Sequence, residues 1–298
     1  MKDVLNPSLS IIIPTYNHAR FLRTALDSIC AQTFNDWEAI IVNNFSEDDT
    51  VAVVKSYDDP RIRIVNYANH GVIAAARNHG LSLTQAPYVA FLDSDDCWYP
   101  EKLQRCFDKL AKGYDLVCHA EVWVGPGERR RTVYYGPDAR ATYESLLLDG
   151  NCISTSAVVV RRGWLERAKG FSIQLEFVTA EDYDLWLKMA HNGAKIAFVN
   201  EVLGEYLIHD DNQSRVALRN MQAVLAVFEH HRTALNGQTY ARRLRRREAV
   251  IMYSGARALQ DSGQYRQAWR YFFKAVVHYP WVLRFYAAMV FNAFGRRP

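Results

Sequence analysis

Cysteine is scarce in this chain. Its 298 residues hold five, Cys30, Cys97, Cys106, Cys118 and Cys152, and no C-x-x-C pair. An odd, low count excludes a disulfide framework and fits a reducing cytosol. Cys97 is expected to be a small buried thiol. Long apolar runs are also missing, since no stretch reaches the roughly 18 residues that would cross a bilayer. The nearest, Trp281 to Phe294, is broken by Arg284 and Asn292 and is expected to lie on a membrane surface rather than pass through it. The opening MKDVLNPSLS is too short and polar before its first apolar run to act as a secretory signal. Internal repeats and low-complexity segments are absent, apart from one helical-hairpin pattern near the C-terminus.

Apolar residues make up 49% and aromatics 13% of the chain, enough for a substantial core and against disorder over most of the length. The length suits one large domain or two small ones. Charge is unevenly spread. Residues 1–214 hold 21 Lys and Arg against 29 Asp and Glu, a net of −8, and residues 215–298 hold 15 against 3, a net of +12. A basic C-terminal segment points to an anionic partner: a membrane surface, a lipid phosphate or a nucleic acid.

Four short apolar runs, Leu9–Ile13, Trp37–Val42, Arg61–Val65 and Tyr88–Leu92, are rich in β-branched or aromatic residues and end at turn-formers, so each is predicted to be a strand. Between them lie helical patterns. Phe21, Leu22, Ala25, Leu26 and Ile29 follow a 3.6 period. Ser46-Glu47-Asp48-Asp49 resembles a capping box, and a third helix is expected near Gly71 to Leu83. The βαβαβαβ order predicts right-handed crossovers and a mostly parallel sheet, with the loops Pro14–Asn17, Asn43–Ser46, Tyr67–Gly71 and Asp93–Asp96 gathered on one side. Further on, a helix is predicted from about Pro100 to Lys112, strands at Ser156–Val160 and Lys195–Val199, and a helix from Glu181 to Ala190 with acids in its first turn. From about Val216 the pattern is helical, and Gly255 to Pro280 resembles one tetratricopeptide-type hairpin, which needs a neighbour to bury its face.

Phe91 to Trp98 reads FLDSDDCW, with Asp93, Asp95 and Asp96 directly after the fourth strand-like run. Open α/β sheets bind ligands at that carboxyl edge. Clustered carboxylates repel unless a cation relieves them, and hard oxygen ligands suit Mg²⁺ or Mn²⁺ shared with a phosphate. The spacing alone leaves two readings open: a metal–phosphate site, or Ser94-Asp95-Asp96 as the cap of the helix near Pro100.

LSIIIPTYN, SICAQTFNDWEAIIVNN, SEDDT, AAARNHG, FLDSDDCWYPEKL and AEDYDLWLKMAHNG occur in this order. Together they resemble a family 2 glycosyltransferase over roughly residues 8–214. The resemblance implies an α/β GT-A fold (a Rossmann-like, mostly parallel central sheet flanked by helices) carrying residues 1–214. The nucleotide-sugar side would fall at about 8–100 and the acceptor side at about 101–214. Residues 215–298 are expected to form a basic, all-helical extension. The implied activity is metal-dependent, inverting transfer of a sugar from a nucleotide-sugar to an acceptor hydroxyl, a hexosyltransferase-type reaction. The roles it implies are Asp93 and Asp95 at the metal and diphosphate with His209 as a further ligand, and Thr15, Tyr16, Asn17, Arg77 and Ser94 at the nucleotide-sugar. Asp182 is implied as general base, with Asp96 behind the metal ligands. Mn²⁺ or Mg²⁺ is the implied cofactor. The chain departs from the family at Asn43-Asn44, where an acidic pair is usual. An amide oxygen still accepts a hydrogen bond from a base but carries no charge, so UDP is the expected donor nucleotide with an altered preference. Phe45 stands where a small residue is common.

Arg242-Arg243-Leu244-Arg245-Arg246-Arg247 and the aromatics Trp281, Phe285, Tyr286 and Phe291 suggest peripheral contact with anionic lipid on the inner face of the cell membrane, or a polyprenyl-diphosphate-linked or glycan acceptor. A solvated helix face explains the arginines equally well. No nucleic-acid motif accompanies them. Trp123, Tyr134 and Tyr135 are either acceptor-stacking or core aromatics. Two rival functions remain. A nucleotidyltransferase would want a glycine-rich phosphate loop that Pro14–Arg20 lacks, and a non-catalytic scaffold has only Asn43-Asn44 in its favour.

Overall fold

The computed structural model describes residues 7–209 and 217–295. The boundary expected at residues 214/215 and the helix start at Val216 lie outside the described residues. In chain order come β1 (Leu9–Thr15), α1 (Ala19–Cys30), β2 (Trp37–Asn43), α2 (Thr50–Lys55), β3 (Ile62–Asn66), α3 (Ile73–Ser82) and β4 (Tyr88–Phe91). Then follow β5 (Cys97–Trp98), α4 (Lys102–Leu110), β6 (Leu116–Gly125), β7 (Arg129–Val133), α5 (Tyr143–Asp149), β8 (Val158–Arg161), α6 (Arg162–Arg167), α7 (Glu181–His191) and β9 (Ile196–Leu207). The chain closes with α8 (Ala217–Arg232), α9 (Gly237–Asp261), α10 (Tyr265–His278) and α11 (Leu283–Ala293). It groups into two compact, interleaved units. One comprises Met1–Tyr143, Cys152–Ile173 and Lys188–His209; the other comprises Glu144–Asn151, Gln174–Leu187 and Asp210–Pro298.

The first unit is an α/β sheet in the order β3-β2-β1-β4-β8-β6-β9-β5, with β7 paired to β6. Its first four strands are mutually parallel, as the alternation predicts. β1 is buried at every position because it lies between β2 and β4, the setting that selects continuous apolar runs over alternating ones. Pro14 falls beyond the residues of β1 that pair with β4, so its missing N–H is tolerated there. Leu22, Ala25, Leu26 and Ile29 of α1 are the buried face the 3.6 period marks. A Cβ at Gly80 of α3 would come within 2.6 Å of Ile12 Cγ2, so glycine permits the close approach of helix and strand.

Beyond β4 the sheet is mixed. β8 runs antiparallel to both β4 and β6, β5 runs antiparallel to β9, and β6 runs parallel to β9 with a register shift beside His119 and Ala120. The strand expected at Lys195–Val199 continues through that irregularity to Leu207. The α2 start also differs from a capping box. Asp48 Oδ1 accepts from Thr50 N at 3.0 Å and Oδ2 from Ala19 N at 2.9 Å, so one acid ties the starts of two helices together.

The described part of the second unit is mainly helical. α9 and α10 form the expected hairpin, turning at Gly263 with φ +77°. Its apolar face is covered within the unit, since Ala256, Leu259, Ala268 and Phe272 cluster with Ala288 of α11. A Cβ at Gly255 of α9 would collide with Met221 of α8. Phe285 is fully buried in the adjoining cluster rather than presented at a surface, which removes it from the interfacial set expected from sequence. Two members of the arginine run are occupied. Arg243 pairs with Glu144 and Asp149, and Arg242 Nε donates to Tyr279 Oη at 3.0 Å. Phe272→Ala is expected to destabilise this unit by about 3–5 kcal/mol. Chemical denaturation followed by helical circular dichroism checks it, and a loss below about 1 kcal/mol would contradict the packing described.

Candidate functional site

Three loops meet at the carboxyl ends of β1, β2 and β3, held by polar contacts. Asn17 Oδ1 accepts from Glu47 N at 2.8 Å, while Asn17 N donates to Ser46 Oγ at 2.9 Å. Asn44 Oδ1 accepts from Asn69 N at 3.0 Å. Asn43 is buried; its oxygen accepts from both N and Oγ of Ser46, and its amide donates to Asn66 Oδ1 at 2.8 Å. Both lone pairs of that oxygen are therefore used inside the loop. This differs from the expectation that it faces a base, and Asn43 acts here as a shaping residue. Asn17, Phe45 and His70 all have left-handed backbones, φ 52°, 54° and 51°. Such conformations are sparsely populated and collect at ligand sites. Tyr16 and Phe45 are exposed at this edge, and the buried Thr15 Oγ1 has no hydrogen-bond partner among the described residues.

The acid cluster follows β4. Asp93 Oδ1 accepts from Arg77 Nη2 at 2.7 Å, and Arg77 is nearly fully buried on α3. Asp95 Oδ2 lies 2.7 Å from His209 Nε2. Ser94 Oγ lies 2.8 Å from His18 Nδ1. Asp96 turns inward, where its carboxylate accepts from Ser156 Oγ at 2.6 Å and from Leu207 N at 3.0 Å. The helix-cap reading is thereby corrected. β5 intervenes after Asp96, α4 begins at Lys102, and no side chain among the described residues caps it. Hydrogen-bond demand inside the sheet, rather than a helix end, takes the third acid.

Burial, then the charge of Asp93, raises the Asp95 carboxyl above its ordinary range against the opposing hydrogen bond of His209. Burial, then Asp95 and Asp93, raises Asp96 further. A divalent cation would relieve the repulsion within such a set. Two carboxylates and an imidazole suit Mn²⁺, and the carboxylates alone suit Mg²⁺, so the donor chemistry of Asp93, Asp95 and His209 fits either ion. The structure brings Asp95 to His209 and directs Asp93 to Arg77. A cavity of about 100 Å³ opens beside Asp95, lined also by Phe21, Cys97, Glu205 and Leu207. Cys97 is half-buried rather than fully enclosed, and burial pushes its thiol up to about 11, which keeps it unreactive.

Some members of this neighbourhood carry no sequence signal. His18 and Ser156 are isolated polar residues whose partners appear only in three dimensions. Glu121 of β6 is almost fully buried and accepts from Tyr135 Oη at 2.6 Å, while Trp123 Nε1 donates to the same hydroxyl at 3.2 Å. Tyr135 and Trp123 are thus tied together, whereas Tyr134 is exposed. Burial pushes the Glu121 carboxyl from 4.5 up to about 7, with the Tyr135 hydroxyl opposing. Below the unfolded value both states hold the proton. As pH rises toward 7 the unfolded chain releases it first, so stability falls and the full penalty of about 3 kcal/mol is present above 7. Glu121→Gln is therefore expected to match the wild type near pH 4 and to exceed it in stability at pH 8. Parallel urea titrations at the two pH values check this, and a pH-independent difference would contradict it.

In the second unit, Asp182 is the second residue of α7 and accepts from Tyr183 N at 2.7 Å. The buried Glu181 accepts from Thr179 N at 2.8 Å, and Asp184 Oδ1 lies 2.9 Å from His231 Nε2 of α8. Acids in the first turn complement the helix dipole as expected.

The profile described as Glycosyl transferase family 2 matches residues 10–168. Chondroitin synthase of Pasteurella multocida is 30% identical over 210 residues, which are 70% of this chain and 21% of that protein. In fold, the chain resembles S. aureus TarS 1-349 in complex with UDP-GlcNAc, with TM-score 0.60, 16% identity, and coverage of 97% of this chain and 92% of that one. It also resembles the mannosyltransferase PcManGT from Pyrobaculum calidifontis in complex with GDP-Man and Mn²⁺, with TM-score 0.62, 17% identity, and coverage of 98% and 86%.

Proposed function

This chain belongs to glycosyl transferase family 2, and we propose that it transfers a sugar, with inversion, from a nucleotide-sugar to an acceptor hydroxyl. The pairing of Arg77 with Asp93 beside Asp95 and His209, at the carboxyl edge of a parallel sheet, is the observation that carries this reading. Residues 1–214 carry the transferase and residues 215–298 the basic helical extension.

Thr15, Tyr16, Asn17 and Asn44 belong to the loops that take the nucleoside. Tyr16 offers an exposed ring for the base, and the Thr15 hydroxyl is buried with a hydrogen bond still to make. Asn43 sets the loop's shape from beneath. Arg77, a planar and permanent cation, holds Asp93 and adds positive charge near the departing diphosphate. Ser94, fixed by His18, sets the course of the chain between Asp93 and Asp95. Asp93, Asp95 and His209 would hold Mn²⁺ or Mg²⁺, which neutralises charge on the leaving diphosphate when bound.

Asp182 receives the proton of the attacking hydroxyl, an assignment that rests on its place in the AEDYDLW motif. Inversion turns an α-linked donor into a β-linked product. UDP is the donor nucleotide we favour, and the acceptor is a glycan or a polyprenyl-diphosphate-linked saccharide in surface polysaccharide synthesis, which places the enzyme in the cytoplasm at the inner face of the membrane. No helix among the described residues is long and apolar enough to cross one.

The test is a panel of UDP- and GDP-sugars with Mn²⁺, followed by release of nucleoside diphosphate and by thermal shift. One donor should raise the melting temperature only with metal and be hydrolysed slowly by water. No binding and no release across the panel would sink the proposal.

A further inference from the structure

Two helices of the second unit turn apolar side chains away from their own core. On α10, Trp269, Phe273 and Val277 recur at four-residue spacing and are exposed, while Ala268, Phe272 and Ala275 face inward. On α11, Leu283 and Val290 are exposed, as is Phe294 just past its end, with Leu283 85% and Phe294 72% accessible, while Phe285 and Ala288 are buried. Trp281, 79% accessible, stands at the corner between the two helices. Exposed apolar surface of this extent marks an interaction site.

The charge around it identifies the partner. Arg266, Arg270, Lys274 and Arg284 are all exposed on the same two helices. Residues 262–298 contain no Asp or Glu. A second copy of the chain would bring these cations against themselves, because a two-fold interface uses the same patch twice. An anionic bilayer surface meets both demands: acyl chains for the aromatic stripe and phosphates for the cations. The helices, at about 21 and 16 Å, are too short to cross the roughly 30 Å hydrocarbon layer, so they lie along it. The arginines at 242 and 243 already have partners within the unit, so these two are not among the cations offered here.

We propose that the outward face of α10 and α11 docks on an anionic phospholipid surface, with Trp281 and Phe294 at the headgroup boundary and Arg266, Arg270, Lys274 and Arg284 at the phosphates.

Flotation of the full chain with vesicles tests this, and it needs no nucleotide-sugar, so its outcome is separate from that of the transfer reaction. The wild type should float with phosphatidylcholine vesicles containing 30% phosphatidylglycerol and not with phosphatidylcholine alone. The quadruple variant R266Q/R270Q/K274Q/R284Q should lose about fivefold in partition per cation, several hundredfold in all. Trp281→Ala combined with Leu283→Ala and Phe294→Ala should lose about tenfold or more, with helical circular dichroism unchanged. R245Q/R246Q, on exposed positions of α9, should bind like the wild type. The proposal is overturned if the apolar variant binds as well as the wild type, or if only R245Q/R246Q loses binding. It is equally overturned if sedimentation shows a dimer that the apolar variant dissolves while vesicles capture neither protein.

Discussion

Asp95→Ala is expected to lower sugar transfer by about three orders of magnitude and to abolish the dependence of nucleotide binding on Mn²⁺. Lewis-acid stabilisation of a leaving diphosphate is worth several kcal/mol, and each 1.36 kcal/mol is tenfold in rate. Asp95 is the acid placed against His209, so its removal takes away a carboxylate and loosens an imidazole together. Without metal, the wild-type carboxyl is held against burial and the charge of Asp93. The metal-free variant should therefore melt no lower than the wild type, while only the wild type gains stability when Mn²⁺ and nucleotide are added. Thermal shift with and without Mn²⁺ separates the two proteins. A variant that keeps metal-dependent nucleotide binding would remove Asp95 from the metal site.

Asp182→Asn is expected to reduce transfer by about 10²- to 10⁴-fold, the range that general-base catalysis supplies. Metal-dependent UDP binding should stay within about twofold of the wild type. Asparagine keeps the size of the side chain and can still accept from Tyr183 N, so the start of α7 is preserved. Calorimetric titration with UDP and Mn²⁺, beside a transfer assay, gives the two readouts. Lost binding would move Asp182 to the donor site, and unchanged transfer would end its assignment as base.

The parallel half of the sheet was legible because β1, β2 and β4 are continuous apolar runs that stop at turn-formers, the imprint of strands buried on both faces. The mixed half was less so. β7 reads Arg-Arg-Arg-Thr-Val, an edge strand whose pairing with β6 has no apolar imprint. β6 buries His119 and Glu121 among apolar neighbours, which no periodicity anticipates. At the site, Asp93, Asp95 and Asp96 announced themselves by crowding, but which acid faced outward did not follow from spacing. Partners remote in sequence settle that: His209 for Asp95, Arg77 for Asp93, Ser156 for Asp96. Asn43 shows the converse limit. Its place at the end of β2 suggested a ligand contact, yet its side-chain oxygen accepts within the loop because Ser46 lies three residues on.

Asp96 gives the motif a mechanical role beside its chemical one. Its carboxylate clasps the amide of Leu207 at the end of β9, two residues before His209. The third acid thus sets the distance at which the imidazole meets the second. Exchanging the proposed ligands at 93, 95 or 209 would leave this clasp in place. A change at 96 would instead unfasten the end of the strand that leads into His209, so a defect at the proposed ligands would arise from a position outside them.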